Sequence, residues 1–130
     1  MLYEQILSLA CLLYYKQLMF FAFVKIDAPP GQTHTIIDVL DSVRGQTAAS
    51  PGCLGCLLTV EVGASDTICY QEQWRDREAL ERHLRSILYT RVLAAMELSC
   101  TQPKVEFYKV TRAGGLELVE MARGSQLSIS

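Results

Sequence analysis

No Gly-rich phosphate loop, dinucleotide fingerprint, zinc-binding helix motif or nucleophile elbow occurs in these 130 residues. The usual signatures of nucleotide-dependent, zinc-dependent and serine-nucleophile chemistry are therefore missing. A basic excess is missing too. Twelve Lys and Arg stand against 14 Asp and Glu, giving a net charge of −2, and the two signs are intermixed. No patch could neutralise a phosphate backbone, so nucleic acid is not an expected partner. The five cysteines (Cys11, Cys53, Cys56, Cys69, Cys100) are odd in number and form no even disulfide framework. Histidine is limited to His34 and His83, and tryptophan to Trp74.

What is present is apolar: half of the residues are hydrophobic and a fifth are charged. That suits one domain with a generous core or a subunit interface. A chain of this length can bury roughly two thirds of its unfolded surface. Cys53-Leu54-Gly55-Cys56 has the C-x-x-C spacing of a redox pair or half a zinc site. A redox pair needs a helix N-terminus to stabilise its thiolate, whereas Leu57 to Val62 reads as a strand. Positions three apart on a strand face opposite ways, and no second pair completes a four-ligand zinc site. A buried, reduced structural role is the expectation, with redox or metal chemistry as the alternative.

Residues 1–18 are set apart by Leu2, Ile6, Leu9 and Leu13 at helical spacing. Glu4 sits where a signal peptide carries positive charge. A membrane span from Ile6 to Val24 would place Lys16 at its middle, at roughly 2.5–3.5 kcal/mol. An extra amphipathic helix or extension before a cytoplasmic domain is the expectation. From Leu18 to Ile26 the chain is rich in β-formers, and Pro29-Pro30-Gly31 closes the run. Ile36, Val39, Leu40, Val43 and Thr47 then share one helical face. Strands follow over Leu54–Val62 and Thr67–Trp74, joined by the loop Gly63–Asp66.

Asp76 is a good N-cap, with Glu78 near the positive helix end. Leu80, Leu84, Ile87 and Leu88 are expected to form the buried stripe of this second helix, which bends near Ser86 and runs to about Leu98. Val105–Val110 reads as a fourth strand. The order β-α-β-β-α-β predicts a ferredoxin-like α+β fold. Leu54, Leu58 and Val60 are expected on one side of their strand and Cys53 and Leu57 on the other. Two helices cover one face of such a sheet, so an apolar second face calls for a homodimer joined sheet to sheet. Residues 112–130 are read as a strand over Leu116–Met121 and a loose tail from Gly124.

His83 borders the apolar stripe of the second helix. It can be a core histidine, or a base or hydrogen-bond donor in a cavity against the sheet. His34 stands in a polar turn and is expected to face solvent. Tyr70, Glu72 and Trp74 share one strand face, and a buried carboxylate needs a partner. Arg44 on the first helix is the candidate partner. One reading is a structural ion pair with Trp74 as packing. The other is a pocket wall where Trp74 stacks on a planar ligand, Glu72 orients a phenolic hydroxyl and Tyr89 closes the site.

The order of these parts resembles the antibiotic biosynthesis monooxygenase family, small dimeric α+β barrels that include quinol monooxygenases. The resemblance runs from about Met19 to Thr111 through Arg44, Pro51-Gly52-Cys53-Leu54, Glu72-Gln73-Trp74-Arg75-Asp76-Arg77-Glu78-Ala79-Leu80 and His83-Leu84. It implies cofactor-free oxidation of a quinol or hydroxylated aromatic by dioxygen, with His83 as base or anchor and Trp74 lining the pocket. Haem-degrading relatives carry an iron-ligating histidine further along the second helix and a first-strand asparagine. Here Val92, Leu93 and Ala94 stand in the helix and the strand has no asparagine, so the resemblance does not extend to haem chemistry. A catalytically silent dimeric barrel that binds a small aromatic, or acts as a structural or regulatory module, is the alternative.

Overall fold

The computed structural model describes residues 18–124. Of the expected extension over residues 1–18, all but Leu18 lies outside the described residues, as does the tail beyond Gly124. Four strands, β1 (Leu18–Asp27), β2 (Cys53–Glu61), β3 (Ala64–Trp74) and β4 (Lys104–Thr111), form one sheet in the order β2-β3-β1-β4. Helix α1 (Thr33–Ala48) joins β1 to β2, and α2 (Arg77–Leu84) with α3 (Tyr89–Glu97) joins β3 to β4. β3 runs antiparallel to both β1 and β2. This is the ferredoxin-like arrangement. Met19–Val110 form one compact unit.

The helices cover one sheet face because the strands alternate. Ala22, Val24 and Ile26 of β1 and Ile68, Tyr70, Glu72 and Trp74 of β3 are buried beneath the helices. α1 packs on β2 and β3 through Ile36, Leu40, Val43 and Thr47, all fully buried. Each such aliphatic side chain contributes about 1.5–3 kcal/mol. On the opposite face Phe23, Gln71 and Leu57 lie in register across β1, β3 and β2, and Leu57 is 51% exposed.

Four sequence expectations are corrected. A β-bulge between Cys53 and Gly55 sets Cys53 opposite Trp74 and Cys56 opposite Glu72. Both thiols therefore share the helix-covered face, with Leu58 and Val60, because the extra residue cancels one step of alternation. The long second helix is two helices. Ser86 donates its hydroxyl to the His83 carbonyl at 2.6 Å and accepts from the Tyr89 amide at 3.3 Å, which ends one helix and starts the next. Ile87 consequently leaves the expected stripe and is 88% exposed. Leu116–Ala122 form a helix, α4, in place of the expected strand. Leu, Glu and Met are strong helix formers, and the Glu117 carboxylate accepts from the Gly115 amide at 2.8 Å in the first turn.

No helix among the described residues is long and apolar enough to cross a membrane, and those residues contain no cluster of His, Cys, Asp and Glu able to hold a metal ion. Cys53, Cys56, Cys69 and Cys100 are free thiols. Burial pushes the Cys56 thiol up to about 11, while Cys100 is exposed. At pH 8 only about one Cys56 in a thousand is a thiolate, the reactive species. Peptide mapping after brief maleimide treatment of the folded protein is expected to find Cys100 modified and Cys56 unmodified. Cys56 should become reactive only as the pH approaches 11 or the protein unfolds. Labelling of both at equal rates at pH 8 would contradict this.

Candidate functional site

Glu72 stands in the interior strand β3, under the helices, with no solvent exposure. Its cross-strand neighbours are the small residues Ala22 and Cys56, which leaves room above the carboxylate. Three donors fill that room. Tyr70 donates its hydroxyl to Oε2 at 2.7 Å and Trp74 its indole N–H to Oε1 at 2.9 Å. His83 Nε2 reaches Oε2 at 2.8 Å from α2. The Thr47 hydroxyl on α1 lies 3.4 Å from the Tyr70 oxygen and extends the chain to a third element. A buried carboxylate is tolerable only with such a set of partners, and among the described residues no buried side-chain polar atom lacks one.

The turn chemistry aims these groups. Asp76 caps α2 by accepting the Ala79 amide at 2.8 Å, and that hydrogen bond, with help from Arg75, holds its carboxyl below the usual range. Capped there, α2 presents Ala79, Leu80 and His83 to the sheet. Gly52 lets α2 come close: its φ is +84°, and a Cβ there would meet the Ala79 methyl at 2.5 Å. Trp74 and His83 lie with ring centroids 4.8 Å apart, and Tyr89 meets the His83 ring edge-on at 5.4 Å.

A cavity of about 220 Å³ opens beside this network. Trp74, Ala79, Pro51 and Leu88 give it apolar walls, while His83, Arg82, Ser50 and Ser86 bring the polar groups. A larger groove of about 340 Å³ lies between α2 and β4, with Phe20, Leu80, Leu84 and Phe107 at its floor. Its charged groups are Lys109 and the exposed Arg77–Glu81 pair, and its lining includes neither histidine nor a buried carboxylate. Of these two, the smaller cavity has buried acid–base groups; a third groove of about 430 Å³ has His34 and Asp66 as its titratable groups, both exposed.

Proton chemistry there points to one residue. Burial, reinforced by the Glu72 charge, raises Tyr70 far above its ordinary range and pushes Tyr89 up to about 12. Both phenols thus stay protonated. The 2.8 Å contact from Nε2 to Oε2 suits the tautomer in which Nε2 donates, and in that tautomer Nδ1 is the ring's acceptor. Among the described residues Nδ1 has no hydrogen-bond partner, and His83 lines the cavity.

The structure thus brings together Tyr70, Glu72, Trp74, His83 and Tyr89, all expected at one site. Arg44 does not join them. Its guanidinium binds Asp41, three residues earlier on the exposed side of α1, at 2.7 Å, and Glu72 takes its hydrogen bonds from Tyr70, Trp74 and His83 instead. Sequence reasoning missed Arg82, Thr47, Ser50, Pro51 and Ser86. Helical spacing held a signal for one of these, because Ser86 is three residues after His83. Pro51 and Ser50 reach the site only through the turn at Gly52, which no periodicity reveals.

Fold and site together define a ferredoxin-like α+β protein with a small aromatic-walled cavity and a carboxylate-held histidine. The sequence profile of the antibiotic biosynthesis monooxygenase family matches residues 19–95, and the chain belongs to that family. Comparison with curated proteins gives no match. Among solved structures, a Shewanella oneidensis protein is similar with a TM-score of 0.68 at 21% identity, over 75% of this chain and 95% of the other. A Pseudomonas aeruginosa protein gives 0.62 at 26% identity, over 74% and 95%. A Nitrosomonas europaea protein, described as a candidate antibiotic biosynthesis monooxygenase, gives 0.67 at 14% identity, over 77% and 96%. The first and third likenesses speak to the fold alone.

Proposed function

We propose that the cavity beside His83 is the active site of a cofactor-independent monooxygenase acting on a hydroxylated aromatic. The observation that carries this reading is the placement of His83: Nε2 is held by a fully buried carboxylate at 2.8 Å, and the ring stands against Trp74 in the cavity wall. A base so held abstracts a phenolic proton without reorganising. Trp74, fully buried, backs the His83 ring in the cavity wall and fixes its orientation.

In the proposed reaction His83 Nδ1 takes a hydroxyl proton from a quinol. The quinolate passes one electron to dioxygen, and the radical pair joins oxygen to a ring carbon. The ring hydroperoxide then loses water: the O–O bond breaks and the hydrogen on that carbon leaves as a proton. The products are a hydroxyquinone and water. All four electrons that reduce dioxygen come from the substrate, so the chemistry calls on no cofactor. The apolar walls keep bulk water from the anion.

Aerobic incubation with a panel of quinols is expected to consume one dioxygen per quinol, with none of the product formed anaerobically. An absence of oxygen uptake above the uncatalysed rate across the panel would leave a ligand-binding barrel without turnover, and the proposal would fail.

The same reading includes a homodimer. Phe23 and Leu57, on the face opposite α1–α3, have Gln71 between them, and apolar groups there are best covered by a second copy. Sedimentation is expected to give about twice 14.6 kDa, and Phe23→Asp should return the monomer. A wild-type chain that stays monomeric at micromolar concentration would contradict this.

A further inference from the structure

We infer that the substrate is a single-ring hydroxyarene bearing an acidic substituent, and that Arg82 is the anchor for that acid. The inference rests on the reading of this cavity as the active site and names what enters it.

Size is the first argument. A cavity of about 150 Å³ is enough to hold benzene, and pockets for drug-sized ligands begin near about 300 Å³. At about 220 Å³, between those two sizes, this one suits a single ring with small polar substituents better than a fused pair.

Charge is the second. Arg82 is adjacent to His83 on α2, and the two are the cationic or basic groups lining the cavity. Its ion pair is to Glu78, four residues earlier, at 3.7 Å with both side chains more than half exposed. A pair that long and that wet holds the guanidinium weakly, so its planar fork of donors remains available for a carboxylate. Neighbouring helix positions diverge by about 100°, so Arg82 and His83 meet different edges of a bound ring. A hydroxyl is presented to the base while the acid group stays at the rim. Among the described residues no carboxylate lines the cavity; Glu72 sits behind His83, already engaged by three donors.

Trp74 is the sole tryptophan and forms a cavity wall, so its emission reports occupancy without turnover. Anaerobic titrations would compare 2,5-dihydroxybenzoate, 1,4-dihydroxybenzene and 1,4-dihydroxy-2-naphthoate. The benzoate is expected to bind about tenfold more tightly than the neutral quinol, the scale of one charge-assisted contact, and the naphthoate at least tenfold more weakly than the benzoate. In Arg82→Gln the preference for benzoate over quinol should fall to about one. A preference unchanged in Arg82→Gln, or absent from the wild type, would overturn the anchor. Naphthoate binding as tight as benzoate would overturn the single-ring limit. If neither one-ring probe changes the emission, the reading of the cavity as the active site fails first, and this inference falls with it.

Discussion

Glu72→Ala is expected to be among the most damaging single changes in the protein, lowering stability by about 3–5 kcal/mol. Three buried donors, from Tyr70, Trp74 and His83, lose their common acceptor at once, and each orphaned group costs about 1–3 kcal/mol. For a domain of this size each kcal/mol is about 4–8 °C of melting temperature, so a fall of about 12 °C or more is expected by calorimetry. Glu72→Gln separates structure from chemistry. Its amide N–H₂ would donate where Oε2 accepts now, and both the Tyr70 oxygen and His83 Nε2 can turn acceptor. The network is then satisfied, and stability should stay within about 1 kcal/mol of the wild type. The proton of His83 moves to Nδ1, however, and the base facing the cavity is lost. Turnover should fall by about 10²–10⁴. A stable Glu72→Gln protein with undiminished turnover would remove Glu72 from the mechanism.

Trp74→Ala should cost about 3–5 kcal/mol, as for other fully buried large aromatics. Trp74 is completely buried in a cluster with Ala22, Ala79 and Leu80, and its loss also enlarges the cavity and leaves Glu72 Oε1 without its donor. Trp74→Phe keeps most of the ring and forfeits the N–H. Its cost should be nearer the roughly 1–3 kcal/mol of one unmet buried group. Urea unfolding of the two variants distinguishes these cases. Equal destabilisation would mean that the hydrogen bond, and not the volume, dominates.

The contrast between Arg44 and His83 shows how much of the site was legible in the sequence. Tyr70, Glu72 and Trp74 could be placed on one face because the two-residue period of β3 is unbroken from Thr67 to Trp74, and the need of a buried carboxylate for partners is general. Choosing the partner was harder. Arg44 had the right charge, but Asp41 one helical turn away satisfies it locally, and an arginine at the surface has no reason to enter the core. The neutral donors that Glu72 found were already among the candidates, as members of the pocket rather than as its partners.

The fold was legible where periodicity persists: α1 buries Ile36, Leu40, Val43 and Thr47, as the helical spacing predicts. It was not legible where one residue changes the count. The bulge before Gly55 turned Cys53 to the face of Cys56, and Ser86 broke a long helix in two. Leu116–Met121 alternates well enough to pass for a strand, yet its residues are helix formers and it makes α4. Alternation alone does not specify a strand where the residues themselves favour helix.

Oxygen uptake by His83→Gln, measured per folded molecule with a quinol that the wild type oxidises, decides whether His83 is the base. The substituted amide could still donate to Glu72, so melting temperature should fall by only a few degrees, while the cavity would lose its base. Turnover should fall by about 10²-fold or more. Wild-type oxygen uptake in a folded His83→Gln protein would contradict it and leave His83 as a structural member of the core.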